Sequence, residues 1–152
     1  MENKWLKLGG ILSFVVALLH VVIIFIGAPA YRYFGAGEDM ATAAEAGLAF
    51  PALLTFVLVA VFAIWGFYGL SGAGVIRRLP LLKIALILIG AVYTLRGVAV
   101  FQQLFRIAAS SAEVTPREIV FSLFSLIIGL AYLTGTVTNW RSLGVSNRTV
   151  QT

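Results

Sequence analysis

The stretch LLKIALILIGAVYTLRGVAVFQQLF, Leu81–Phe105, decides the fold. It is apolar for longer than the ~20 residues that carry a helix across ~30 Å of hydrocarbon. Working outward from it, three more runs of similar length appear: Leu8–Ile26, Ala46–Leu70 and Ile119–Val137. Four spans in 152 residues leave no room for a separate soluble domain. Composition agrees, since 61% of the chain is hydrophobic and only 11% charged, less than half of the roughly 25% found in soluble domains. The expected fold is an all-α membrane protein, a single domain of four transmembrane helices (about 6–27, 46–70, 81–106 and 117–139) in an up-down-up-down bundle, with a polar cytoplasmic tail over 140–152.

The net charge of +5 is explained by where the cations lie. Lys4, Lys7, Arg77, Arg78, Lys83, Arg141 and Arg148 all fall on one side if the chain crosses four times. Glu38, Asp39, Glu45, Glu113 and Glu118 fall on the other, with Arg32, Arg106 and Arg117. The positive-inside rule then places both termini in the cytoplasm, with Trp5 and Trp140 as interfacial aromatics on that face. The expected location is a bacterial inner membrane, multi-pass, and the lipid bilayer is the first partner. A nucleic-acid role has no support. Ala28-Pro29-Ala30 resembles a signal-peptidase site, but the apolar run before it exceeds the 7–15 residues of a signal h-region, so the first helix is expected to be retained.

Local signals set the punctuation. Pro29 ends the first helix, because the residue before proline is steered out of helical geometry. Tyr31–Ala46 reads as the longest loop, with tight turns at Gly35 and Gly37 and a short helix on Met40–Ala46. Ser71-Gly72-Ala73-Gly74 suits a left-handed helix end, and Pro80 the first turn of the third span. The third loop is expected over Ala108–Pro116, and Thr115-Pro116-Arg117-Glu118 reads as N-cap, N1 proline and acidic first turn. Gly9, Ser13, Ala17, Gly90 and Gly97 are candidate close-packing positions.

Arg96 stands near the middle of the quoted run, where a cation costs several kcal/mol, roughly 2.5–3.5 on insertion scales. Such a residue is expected to face the protein interior and to have a partner. Threading the four helices puts His20, Thr55, Ser122 and Arg96 in the same outer half of the bundle. Gln102, Gln103 and Arg106 lie nearer the outer mouth, with Glu45 and Glu118 at it. Tyr93, Arg96 and Gln103 fall within about 80° on one helix face. An outward-facing polar pocket with Arg96 at its floor is the resulting expectation. Its members are Arg96, His20, Tyr93, Gln103, Gln102, Glu118, Thr55 and Ser122, with Tyr31–Glu38 covering the mouth. Each has a plainer use: Arg96 snorkels toward the outer headgroups or pairs with Glu118 to fix the bundle, and His20 is a hydrogen-bonded core residue. Thr55, Ser122 and Ser125 bond back to their own helix.

Other chemistries lack their residues. There is no cysteine, one histidine and one aspartate, and every carboxylate lies near a helix end. That removes thiol chemistry, a paired-aspartate peptidase and a proton-coupled exporter with a buried carboxylate. No catalytic residue, metal ligand or cofactor is assigned, and an enzyme is not the expected class. In layout the chain resembles the small four-helix inner-membrane proteins of bacteria, a likeness of architecture that carries no activity with it. Two functions remain. The first is binding, or help in transport, of a small anionic or amphipathic (lipid-like) molecule at Arg96, with a homo-oligomer where a permeation path is needed. The second is an accessory or structural membrane subunit whose Arg96 makes an internal or partner ion pair. The polar set exceeds what one ion pair needs, which favours the first.

Overall fold

The structure is a computed structural model and describes residues 3–109 and 114–144. All regular structure among them is helical. Four helices are long and apolar enough to cross a membrane: α1 (Lys4–Ile26), α4 (Phe50–Gly72), α5 (Leu82–Ala108) and α6 (Pro116–Thr138). Between α1 and α4 lie two short helices, α2 (Ala28–Phe34) and α3 (Glu38–Glu45), and a 3-10 turn follows α6 at Ser142–Gly144.

Several boundaries differ from expectation for identifiable reasons. α2 occupies part of the segment read as loop. Pro29 stops α1 but also suits the first turn of a new helix, where no N–H is required. Gly27, at φ 75°, swings the chain between the two, and its carbonyl accepts the Ala30 and Tyr31 amides at 3.0 and 3.1 Å. Gly47 at φ 72° then separates α3 from α4, so the second span starts at Phe50 rather than near 46. Pro80 lies in the turn ahead of α5 instead of inside it. Leu81 adopts φ 52° as the N-cap, and the helix starts at Leu82. The tail past Trp140 holds a 3-10 turn with Leu143 buried; residues 145–152, and most of the third loop, fall outside the described residues.

The chain divides into two compact units. The first comprises the chain up to Ile11 together with everything from Phe67 onward. Its frame is the α5–α6 pair, antiparallel and in constant register: Gly90 meets Leu133, Thr94 meets Gly129, and Gly97 meets Leu126. The approach is backbone to backbone. A Cβ on Gly97 would stand 2.5 Å from the Leu126 amide nitrogen and Cα. The first turns of α1 and the last of α4 join the same unit, antiparallel to each other. Gly69 abuts Gly10 so closely that a Cβ there would lie 2.5 Å from the Gly10 Cα.

Tyr132 is fully buried at the centre of this unit. Its ring fills the space that Gly9 leaves, its hydroxyl lies beside Gly69, and it stacks on Tyr93 with centroids 6.2 Å apart. Asn3 locks the end of the unit. Its side-chain oxygen caps α1 by accepting the Trp5 and Leu6 amides at 3.0 and 3.2 Å, while its Nδ2 donates to the Gly135 carbonyl at 2.7 Å. Its own amide donates to the Ala73 carbonyl at 3.2 Å. A buried amide side chain with both ends used is stabilising rather than costly.

The second unit is Leu12–Gly66. Phe14 fills the space beside Gly66, which aligns this part of α1 antiparallel to α4. The short helices close on them through a core of Ile23, Ala28, Ala30, Tyr31 and Ala41, flanked by Leu19, Phe34, Met40 and Ala44. Outside these contacts the long helices present bare apolar side chains: Phe25 is 86% exposed and Leu95 78%. Such surfaces match a hydrocarbon solvent.

The α5–α6 seam yields a direct expectation. Gly97→Ala pushes a methyl into the Leu126 backbone, which has no rotamer to move, and should lower stability by about 1–3 kcal/mol. Ala91→Gly, at an exposed position on the same helix, should cost only about 0.5–1 kcal/mol. Thermal unfolding of both variants in detergent separates the two effects; equal shifts would contradict the close-contact account.

Candidate functional site

The expected site residues fall into both units, and each unit is built differently. In the first, α5 buries Leu82, Leu86, Ile89, Gly90, Tyr93, Gly97 and Val100, a stripe repeating every three or four residues. Tyr93 lies on that stripe. Arg96 sits about 60° around the helix from it, on its flank, and is exposed. The expectation that Arg96 turns inward to an internal partner is therefore corrected. Arg96 makes no hydrogen bond or ion pair with any other described residue.

Register explains why Glu118 does not serve. Extending the α5–α6 pairing places Arg96 level with Ile127, and Glu118 lies nine residues beyond it, about 13 Å along the axis. No guanidinium reaches that far. Glu118 is exposed and accepts a hydrogen bond from the Thr115 hydroxyl at 2.9 Å, closing the first turn of α6. Along the sequence no aspartate or glutamate occurs from residue 46 to 112. The chain thus carries a cation about 21 Å along a helix of about 40 Å and supplies no carboxylate at that level.

Gln102, Gln103 and Ser122 lie toward the end of the α5–α6 pair where α5 finishes and α6 begins. The same register brings Gln103 level with Val120, within a turn or so of Ser122. Gln102 is exposed, whereas the Gln103 Oε1 and Ser122 Oγ are buried and have no hydrogen-bond partner among the described residues; the Thr94 hydroxyl is in the same state. Unsatisfied buried oxygens of this kind are uncommon and costly. Ser125, by contrast, donates to the Phe121 carbonyl of its own helix at 2.9 Å.

In the second unit the polar groups are satisfied locally. His20 Nδ1 stands 2.8 Å from the Val16 carbonyl, and since a carbonyl only accepts, that nitrogen carries the proton. The ring leans on Phe62 with centroids 4.9 Å apart. Thr55 is buried, donates to the Pro51 carbonyl at 2.8 Å, and its hydroxyl lies 3.3 Å from that of Tyr31. Tyr31 is itself buried, so it is core to the cap rather than an interfacial anchor; Tyr33 is the exposed ring. Among the described residues no three His, Asp or Glu side chains gather to hold a metal.

Sequence reading missed the charge clamp that fastens the cap over this unit. Arg32 on α2 grips two of the three acids of α3, Glu38 and Glu45. Its Nη2 lies 2.6 Å from Glu38 Oε1, and its Nη1 lies 2.5 Å from Glu45 Oε1. Its Nε and Nη2 complete the two forks, at 3.0 Å to Glu38 and 3.0 Å to Glu45. The available signal was the spacing of Arg32, Glu38 and Glu45 in one polar segment, which becomes meaningful only once α2 and α3 are known to pack side by side. Hydrogen bonds from Arg32 hold the Glu38 and Glu45 carboxyls below the usual carboxylate range, and bonds to Glu45 and then Glu38 push the Arg32 guanidinium further up.

The sign of the pH dependence follows. Depressed carboxyl values mean that the clamp contributes fully above the unfolded carboxylate pKa of about 4.3 and loses its contribution as pH falls through the lowered folded values. Amide exchange of the α2–α3 segment should be flat from pH 8 to about 5, after correction for intrinsic rates, and should rise below about 4. Because the clamp is exposed, molar salt should raise it at neutral pH as well. The chain matches no known protein-family model, no curated protein and no solved structure, so its site stands on its own geometry.

Proposed function

We propose that this integral membrane protein binds, through Arg96, a small anionic or amphipathic molecule that arrives from the bilayer or from the outer face. The observation that supports it most is the exposed, partnerless state of Arg96 among the described residues, together with the lack of any carboxylate at its level. An unpaired guanidinium in hydrocarbon costs several kcal/mol, and an anion that reaches it recovers part of that cost, less its own desolvation. Gln102 and Gln103 are the polar groups on α5 outward of Arg96, Ser122 and Glu118 their counterparts on α6, and Tyr93 the aromatic neighbour inward. Helping transport, in a homo-oligomer, is the fuller form of this reading. We further place both termini in the cytoplasm of a bacterial inner membrane, from the distribution of cations.

One observation favours a second reading, an accessory subunit. The side chains beside Arg96 on its helix, Leu95 at 78% exposure and Val92 at 50%, form an apolar face on which another membrane helix could lie. A second copy of this chain offers no carboxylate at that depth, so the partner would be a different protein carrying one.

Arg96→Ala and Arg96→Lys separate these readings. Neither should destabilise the fold, since Arg96 makes no contact that the fold uses. Under the binding reading, anionic amphiphiles raise the melting temperature of the wild type. Arg96→Ala weakens them by at least about tenfold, or 1.4 kcal/mol. Arg96→Lys keeps part of the effect, because it keeps the charge without the fork. If no amphiphile stabilises the wild type and Arg96→Ala instead loses a membrane protein cross-linked to α5, the subunit reading holds. Loss of folding in both variants would count against both readings. Topology has its own check: alkaline phosphatase fused after Thr152 should be inactive.

A further inference from the structure

At the end of the first unit that carries the chain terminus, the α4–α5 loop, the start of α5 and the 3-10 turn enclose an open cleft of about 530 Å³. Its rim is cationic, with Arg78 and Lys83. Its walls are apolar, with Leu81, Leu82 and Ile84 from α5 and its cap, and Leu143 from the turn. We propose that this cleft is a binding site for an anionic phospholipid, its phosphate taken by Arg78 and Lys83 and its upper acyl chain laid along Leu81 and Ile84.

The cleft is held in shape rather than left to the loop's freedom. Ser71 Oγ donates to the Arg77 carbonyl at 3.0 Å and accepts the Leu79 amide at 2.9 Å. Tyr68 donates its hydroxyl to the Pro80 carbonyl at 3.2 Å. Arg78 donates to the Ser142 carbonyl, which ties the loop to the turn across the cleft. The Lys83 ammonium rests 4.5 Å from the centre of the Trp140 ring, a cation–π contact that orients it at the rim.

Leu81 is the unexpected member. It holds φ 52°, a conformation that L residues other than glycine rarely adopt, and its side chain is 74% exposed. The strained backbone thus holds a bulky apolar side chain largely outside the protein at the end of a membrane-spanning helix. It becomes useful when lipid chains cover it. Charge points the same way. No acidic residue occurs from 46 to 112 or after Glu118, so this end of the unit gathers Arg77, Arg78, Lys83 and Arg141 without a carboxylate in those segments. Basic residues at a membrane surface, beside an apolar wall, complement a lipid that carries a phosphate and two acyl chains.

The test uses the purified full chain in neutral detergent, titrated with dioleoylphosphatidylglycerol, dioleoylphosphatidylcholine or inorganic phosphate. Melting temperature and native mass spectra are the readouts. The phosphatidylglycerol should stay attached and raise the melting temperature by several degrees, whereas the phosphatidylcholine should not. Lys83→Gln should weaken that effect roughly tenfold, while Lys4→Gln/Lys7→Gln, which removes more charge at residues that do not line the cleft, should leave it intact. Arg78→Gln risks releasing the turn through Ser142, so Leu81→Gly supplies an independent arm. It relieves the positive φ and should raise stability in detergent alone, yet reduce the further gain from phosphatidylglycerol. Equal effects of the two lipids, an equal loss in the Lys4/Lys7 variant, or full stabilisation by inorganic phosphate would overturn the assignment.

Discussion

Apolar helices in a bilayer gain nothing by hiding leucine from lipid, because lipid is as apolar as leucine. What holds this chain together is therefore close approach, and close approach requires the absence of side chains at chosen points. The α5–α6 seam works this way, with Gly97 against the Leu126 backbone and Gly129 against Thr94. So does the contact of Gly69 with Gly10. The space so created is then filled by one large group, Tyr132, on which α1, α4, α5 and α6 all converge within the first unit. Other features of that unit follow from this constraint, including the antiparallel register that fixes the level of every polar residue on α5 relative to α6.

That register decides the meaning of Arg96. Sliding α6 by nine residues would bring Glu118 beside it and turn the pair into an ordinary internal ion bridge. The glycine seam forbids such a slide, because only at the observed register do Gly90, Gly97 and Gly129 meet the bulk opposite them. Packing and electrostatics are thus in conflict, and packing wins. The cost is several kcal/mol of unpaired charge at membrane depth. A fold that keeps such a residue on its exterior differs in kind from one that buries it, since no described side chain of the chain offsets the charge.

Much of the architecture was legible in the residues. The four spans, the turns at Gly35, Gly37 and Gly74, and the Thr115–Pro116 helix start each have a local cause, and each is where that cause puts it. The misreadings share a different character. Pro29 has two uses, as a stop and as a first-turn residue, and only the packing of α2 onto Ile23 and Ala41 selects the second. Asn3 is missed altogether, because its bond to Gly135 joins residues from nearly opposite ends of the chain. Tyr132 has no sequence mark that distinguishes it from Tyr93. Arg32 looked like one more loop cation until α2 and α3 brought Glu38 and Glu45 to it.

Arg96 shows most clearly where such reading stops. Depth along a membrane helix is readable, because residues count off at 1.5 Å each from recognisable ends. Azimuth is not, because a helix apolar all the way round carries little amphipathic signal to say which face is inward. In a soluble protein the charge itself would mark the outer face. In a bilayer the usual inference runs the other way, and a mid-membrane arginine is assigned inward. Here the inward face of α5 is claimed by the Tyr93–Gly97–Val100 stripe, whose small and aromatic members have exact counterparts on α6. Arg96, one helical step off that stripe, is displaced to its flank. The molecule thus handles its cations differently by place: Arg32 closes on acids of its own chain, Lys83 rests on the Trp140 ring, and Arg96 makes no ion pair with any described residue.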